Sequence, residues 1–447
     1  MIKDEILELL NTDPIPAARL CSLFTDTNAV DIAELFKDAG KEKSPQIFRL
    51  LPKNVAADVF SYIEPDEQHI LIKALSDSEI SDIMNGLFTD DAADLIEEMP
   101  ADVVNRLLLG TNPQKRKIIN QILQYPEDSA GSIMTTEYVE LGEDATVQDA
   151  FEHIRETGIN KKTIYTSYVI KPDRLLVGIV TAKKLMLAGL DDKIGALMNT
   201  NFIFAGTTDD QEQVAALFKK YGLLSMPIVD KDQHLVGIVT VDDVVQVIEE
   251  ENTEDFEKMG ALHPSEEPYL RTGVFRLAGN RIPWLLFLML SATITGSIIT
   301  GFEDALAVLP VLVAFIPMLM DTAGNAGTQT STLIIRGMAL QEIRFQHLAK
   351  VIWKEIRVAI LCGLALGLVN FARIYFMNGR NAVLSLAVTL SLLITILLAK
   401  AIGCVLPIAA KKLTLDPAIM AAPVITTIVD GASLAVYFSV ARLLFRL

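Results

Sequence analysis

The sequence predicts a multidomain chain in four parts: an all-α helical solenoid over residues 1–130, a tandem α/β pair over 131–250, a connecting helix over 251–280 and a five-helix α transmembrane domain over 281–447. Three observations carry that prediction. Acidic residues gather in the front of the chain and basic residues in the back. A short apolar motif returns 59 positions after its first appearance. Five long, nearly uncharged runs follow one another from Ile282 to Ala441.

The chain has 447 residues, more than one core usually accommodates. Its hydrophobic share of 51% beside a charged share of 21% indicates a soluble part joined to a membrane part. From Arg271 to the end there are 15 Lys and Arg against 7 Asp and Glu, a net of +8. Totals of 39 and 56 leave 24 and 49 before that point, a net of −25. An acidic front half argues against nucleic acid as its partner and favours cations. The start, Met1-Ile2-Lys3-Asp4-Glu5-Ile6, lacks a basic stretch leading into an apolar core, so no signal peptide is expected and the front half should be cytoplasmic. Cys21, Cys362 and Cys404 are widely separated and read as core or lipid-facing filler. His69, His153, His234, His263 and His347 show no zinc-ligand spacing. No nucleophile–base pair appears, so the chain is not expected to be an enzyme.

Up to about residue 130, apolar residues recur three and four apart between short breaks rich in Pro, Asn, Asp and Gly, the pattern of short helices. Leu51-Pro52-Lys53-Asn54-Val55-Ala56-Ala57-Asp58 is echoed by Phe88-Thr89-Asp90-Asp91-Ala92-Ala93-Asp94, and turns at Pro65 and Pro100 follow. Stacked helices would bury such faces against one another. Further on, Leu175-Leu176-Val177-Gly178-Ile179-Val180-Thr181 returns as Leu235-Val236-Gly237-Ile238-Val239-Thr240, each a short buried strand leading into a helix, Ala182–Ala188 and Val241–Glu249. Upstream, Ile133-Met134-Thr135 is echoed by Leu197-Met198-Asn199. Two repeats of strand-helix-strand-strand-helix resemble a pair of CBS domains. The polar run from Glu249 to Arg276 reads as the connecting helix.

The runs Ile282–Phe302, Ala305–Ile335, Val358–Met377, Ala382–Ala410 and Pro417–Ala441 hold no charge or a single one each, and about 20 apolar residues suffice to cross a bilayer. Arg336, Arg344, Lys350, Lys354 and Arg357 follow the second run, and Lys411 and Lys412 the fourth, which puts both links on the cytoplasmic side; Arg373 and Arg380 run against that rule. Five spans then place the C-terminus outside.

The single charge of the last run is Asp430. A carboxylate in mid-span is costly and marks an ion path, unless it is paired with Lys400 of the preceding run. A ring of such carboxylates, with Thr426 and Thr427 beside it, suits hydrated magnesium, which keeps most of its water. Pro317 and the stretch Asp321-Thr322-Ala323-Gly324-Asn325-Ala326-Gly327-Thr328-Gln329 predict a broken or a tightly packed helix. Asp416, before Pro417, reads as a cap of the last span and as a pore-mouth carboxylate.

With these residues in hand, the order of parts resembles the MgtE family of magnesium channels over nearly the whole chain. The specific matches are Ala323-Gly324-Asn325-Ala326-Gly327-Thr328-Gln329 with Ser331-Thr332-Leu333-Ile334-Ile335-Arg336, and Asp416-Pro417-Ala418 with Asp430. The resemblance implies a multi-pass channel of the plasma (inner) membrane, a homodimer with its pore on the axis, in which Asp430 is the main ion-binding residue and Asp416 and Asn325 assist. It implies that magnesium is both the transported and the regulatory ion, bridging the soluble domains to close the pore. The matching carboxylates are Asp58, Asp90 and Asp94; Asp210, Glu212 and Asp243; and Glu251, Glu254 and Asp255. It also implies ATP as a ligand of the CBS pair, at a place no residue of the sequence fixes. Departures occur at Ala422, where family members carry a side-chain amide, and at Gly222 and Gln246, where a carboxylate is expected; one or two regulatory sites should be weaker or absent. A membrane-anchored sensor would need neither Asp430 nor the Gly-Asn-Ala-Gly stretch. A proton- or sodium-coupled transporter relaying through Asp430 and Asp321 stays open.

Overall fold

A computed structural model of the chain describes residues 6, 8–9, 12, 16–40, 43–265, 269–270, 272–340, 342–413 and 415–446. It divides into two compact units, 1–248 and 249–447.

The first unit opens with short helices, α1 (Ala17–Asp26), α2 (Ala29–Ala39), α3 (Ser44–Arg49), α4 (Lys53–Ser61), α5 (Pro65–Ala74), α6 (Asp77–Gly86), α7 (Thr89–Glu98), α8 (Ala101–Gly110) and α9 (Pro113–Ile122). Their ends follow local chemistry. Asn28 and Asn112 accept backbone N–H bonds as N-caps, and Ser76 with Glu79 forms a reciprocal capping box. Pro52, Pro65, Pro100 and Pro113 stand at helix starts, where the missing N–H costs nothing. Helices of about ten residues are too short to be stable alone. They stack on alternate neighbours, α2 on α4 on α6 on α8, as the solenoid reading requires. Phe24, Phe36, Phe48 and Phe60, one to a helix at a spacing of twelve, fill the centre of the stack. Phe48 meets Phe36 and Phe60 edge to face, with ring centroids 6.3 and 5.8 Å away.

The α/β pair follows: β1 (Val139–Gly142), α10 (Val147–Thr157), β2 (Thr166–Ile170), β3 (Leu176–Thr181), α11 (Ala182–Leu187) and α12 (Ile194–Leu197); then β4 (Ala205–Gly206), α13 (Gln211–Tyr221), β5 (Ser225–Val229) and β6 (Leu235–Thr240). In each copy the first strand is parallel to the second and the third antiparallel to it, with a register shift at the same place, Val169/Ile170 and Ile228/Val229. The two repeated sequence landmarks touch each other across the copies. Thr135 exchanges backbone hydrogen bonds with Ile238, and Asn199 does the same with Ile179. A Cβ on Gly237 would lie 2.7 Å from Met134 Sδ, and one on Gly178 the same distance from Met198 Sδ. Each glycine is the seat of the other copy's methionine.

Helix α14 (Val241–Met259) runs from the second repeat into the segment read as the connecting helix but ends at Met259, so the helix covers 251–259 and not 251–280. The next helix, α15 (Val274–Gly301), already belongs to the first apolar run. After α16 (Glu303–Val308) come α17 (Ile316–Ala339), α18 (Leu348–Met377), α19 (Ala382–Lys412) and α20 (Ala422–Phe445). Among the described residues, five helical segments are long and apolar enough to cross a membrane, as expected: Val274–Gly301, Pro310–Ala339, Phe345–Met377, Ala382–Lys412 and Pro417–Phe445. Helix α18 starts ten residues before the apolar run read from sequence, so Lys350, Lys354 and Arg357 stand on its first turns and not in a loop. Of the two readings of the glycine-rich stretch, tight packing holds: α17 is continuous from Ile316 to Ala339. A Cβ on Gly327 would lie 2.8 Å from Ile425 Cγ2, and one on Gly403 2.5 Å from the Gly327 carbonyl oxygen. Small residues let these helices approach closely, which is how helices associate where no water drives them together.

Candidate cation-binding sites

Asp430 lies a little over two turns into α20, half-buried, on the side that faces α17. The facing residue is Gly324, where an added Cβ would stand 3.1 Å from Thr426 Cγ2 and 4.0 Å from Asp430 Oδ1. The glycine keeps space open beside the carboxylate. Asp321, one turn earlier on α17, is near enough to interact with Asp430 electrostatically. The cation of the neighbouring span does not pair with it. Lys400 is buried and binds Glu355 Oε2 at 3.2 Å and Thr330 Oγ1 at 3.1 Å, while Thr330 donates to the same carboxylate at 3.0 Å. Glu355 was missed in the sequence because it precedes the apolar run. The hydroxyls of Thr426 and Thr427 donate to the Pro423 carbonyl, leaving their lone pairs as the ion-facing groups they can offer. Asn325 is exposed, on a face of α17 that also carries Asp321, Gln329, Thr332 and Arg336.

Asp416 accepts the Ala418 N–H at 2.8 Å and so caps the short 3-10 turn Pro417–Met420 that leads into α20. Its other oxygen accepts from Lys258 Nζ at 2.7 Å. Lys258 stands on the last turn of α14 and also binds Glu254, four residues earlier, at 2.7 Å. Glu251 and Asp255 share that half-buried stretch of helix.

The acidic positions of the soluble unit fall into separate groups. Asp90 is buried on the first turn of α7, and Asp243 half-buried on the first turn of α14. Lys162, from the loop before β2, joins them, with Nζ 2.8 Å from Asp90 Oδ2 and 3.3 Å from Asp243 Oδ1. Thr240 donates to the other Asp243 oxygen at 2.5 Å. Desolvation, with the repulsion of Asp90, pushes Asp91 up to about 7; desolvation raises Asp243 to about 6 against the pull of Lys162. Burial alone would lower Lys162, but Asp90, Asp243 and Asp91 hold its pKa above the usual lysine value. Desolvation and the charges of Asp90, Asp91, Glu97 and Glu98 raise Asp94 well above its ordinary value, although the residue is exposed. Asp58 is exposed on α4.

Asp210 and Glu212 stand elsewhere, at the start of α13, where Asp210 Oδ1 caps the helix by accepting from the N–H groups of Glu212 and Gln213. Gly222 ends the same helix at φ +63°, a left-handed C-cap that favours glycine over the expected carboxylate. Gln246 is exposed on α14. Asp230, Asp232 and His234 also converge on the β5–β6 turn, but Asp230 already serves that turn, accepting from the backbone N–H groups of Asp232 and His234.

Comparison with known proteins gives the family of the chain. Residues 27–128 match the MgtE intracellular N domain, 130–191 and 194–250 the CBS domain, and 316–440 the MgtE divalent cation transporter domain. The magnesium transporter MgtE of Thermus thermophilus is 35% identical over 420 residues, covering 93% of each chain. The chain belongs to the MgtE family. The Bacillus subtilis magnesium transporter MgtE is 33% identical over 420 residues, 94% of this chain and 92% of that one. The soluble half is similar to the crystal structure of the soluble part of a magnesium transporter, at 28% identity and a TM-score of 0.53, over 56% of this chain and 98% of that one. These MgtE proteins are named as transporters, which supports the expectation that the chain is not an enzyme.

Proposed function

We propose that this MgtE-family protein is a magnesium channel of the plasma membrane, working as a homodimer and closed by magnesium bound to its acidic cytoplasmic carboxylates. The observation that carries the reading is the Lys258–Asp416 ion pair. It puts the connecting helix on the mouth of the hairpin that leads to Asp430, which lies about two helical turns, or ~12 Å, inside the span. Any movement of α14 is thereby felt at the entry to the ion path.

Further support comes from α17, whose exposed stripe of Asp321, Asn325, Gln329 and Thr332 would be costly against lipid. A water-filled path between two copies gives that stripe a polar environment. Asp430 then holds the ion through its water, with Asp416 and Asn325 along the route. Asp58, Asp90, Asp94, Asp210, Glu212, Asp243, Glu251, Glu254 and Asp255 supply the regulatory carboxylates. Arg336 and the first turns of α18 share a membrane side with Lys411 and Lys412, which supports a cytoplasmic placement of that side and an external C-terminus.

Flux into liposomes tests the reading. Magnesium should move down its own gradient with no imposed proton or sodium gradient, and Asp430→Ala should abolish that movement in a protein that still assembles. Flux that requires a proton or sodium gradient would replace the channel with a coupled transporter relaying through Asp430 and Asp321.

A further inference from the structure

The corner that joins the helical stack to the CBS pair is built around a side chain of the wrong kind for a metal site. Lys162 is 11% exposed and stands between the first turns of α7 and α14. Three carboxylates surround its ammonium group, Asp90 at 2.8 Å, Asp243 at 3.3 Å and Asp242 at 3.7 Å, and the Phe88 ring lies 5.4 Å from it. The lysine is held there from below. Its backbone N–H donates to the Glu137 carbonyl at 2.9 Å, and the Glu137 side chain accepts from Thr89 Oγ1 at 2.7 Å and from the Thr89 N–H at 3.3 Å. Residue 89 is the neighbour of Asp90, so the ring Thr89–Glu137–Lys162–Asp90 closes on itself. One ammonium does not meet the whole demand: Asp90 Oδ1 is buried with no hydrogen-bond partner.

We propose that Lys162 is a tethered cation that takes the place of a divalent ion between Asp90 and Asp243, keeping the helical stack docked on the CBS pair when divalent ions are scarce. Carboxylates gathered from two helix starts repel unless a cation lies between them. An ammonium tethered to the chain is present at any ion concentration, whereas a free ion must be bound from solution. A free ion then adds to the corner only where the lysine leaves a demand unmet, as at Asp90 Oδ1. The inference rests on the proposed regulatory role of these carboxylates.

Hydrogen exchange on the full-length protein in detergent tests it, with EDTA or millimolar MgCl2 at matched ionic strength. In EDTA, wild type and Lys162→Arg should protect Thr89–Glu98 equally. Lys162→Gln should exchange there at least tenfold faster while β5 and β6 stay protected, and MgCl2 should restore the wild-type rate. Protection of Lys162→Gln in EDTA equal to wild type overturns the proposal. So does a loss that MgCl2 fails to repair, or a loss in Lys162→Arg as large as in Lys162→Gln. Should Lys162→Gln lose protection throughout the unit, adding Asp90→Asn removes the opposing charge: recovery supports the tethered cation, and continued loss shows that Lys162 only fills space. If magnesium restores Lys162→Gln but wild-type flux ignores internal magnesium, the lysine proposal stands and the gating reading falls.

Discussion

Lys400 and Asp430 sit on adjacent membrane helices with opposite charge, yet the lysine binds Glu355 and Thr330. A buried pair that loses one partner leaves an uncompensated charge, at a cost of about 3–5 kcal/mol, whereas an apolar pair of similar volume is tolerated. Lys400→Met should therefore lower the thermal stability of the purified protein sharply. Lys400→Met with Glu355→Leu should recover most of it, and a double variant as unstable as the single one would refute the pairing. Asp430 has the opposite profile: its replacement by Ala should leave stability nearly unchanged and stop ion passage. In the soluble unit, Glu79 is held near a pKa of about 2 by its hydrogen bond to Arg49 and by the Ser76 N–H. Its folded pKa lies below the ordinary value of 4.5, so its stabilising effect is complete above about pH 4.5 and fades as the pH falls towards 2. Pulse-labelled exchange of Asp77–Gly86 should loosen across that window in wild type. In Glu79→Gln the same helix should be weaker at neutral pH, by about 1 kcal/mol, and less sensitive to acid.

At the scale of elements, the two CBS copies differ in how their central glycines are covered. The three nearest atoms to a Cβ at Gly178 all belong to the flexible Met198 side chain. A Cβ at Gly237 meets Met134 and also the Thr135 backbone oxygen at 2.8 Å, which is fixed by its hydrogen bonds to β6. Gly237→Ala should cost about 2–3 kcal/mol of stability and Gly178→Ala about 1 or less, measured by denaturant unfolding. Equal losses would mean that the methionines, and not the backbone, set the limit. The helical stack illustrates a different point. Its echo of residues 51–58 in 88–94 places Asp58 and Asp94 on α4 and α7, but the stronger regularity is the Phe24–Phe36–Phe48–Phe60 ladder. Spacing by twelve was there to be read and corresponds to one helix and its turn.

For the molecule as a whole, the contrast between a net of −25 before Arg271 and +8 after it is a statement about control. An ion that binds one arrangement of the acidic domains better shifts the population towards it. On the proposed gating, deleting the residues before about 250 should raise conductance at high internal magnesium. Neutralising Asp90, Asp94 and Asp243 together should act in the same direction. Patch recordings in which both variants close at the same internal magnesium as the intact protein would leave the front half without a gating role.

Hydrophobic periodicity and charge are local properties, and they determined the order of parts, the five membrane helices, the strand order of the repeats and the isolated carboxylate at Asp430. The ends of helices were less legible. Apolar composition ends where the hydrocarbon ends, whereas a helix continues while its backbone bonds and caps allow, which hid Glu355 on the first turns of α18. What only the tertiary structure decided is which charge meets which. Lys162 reaches Asp90 across 72 residues and Lys258 reaches Asp416 across 158. Coulomb attraction depends on distance in space and on burial, and neither is written in the spacing of residues along the chain.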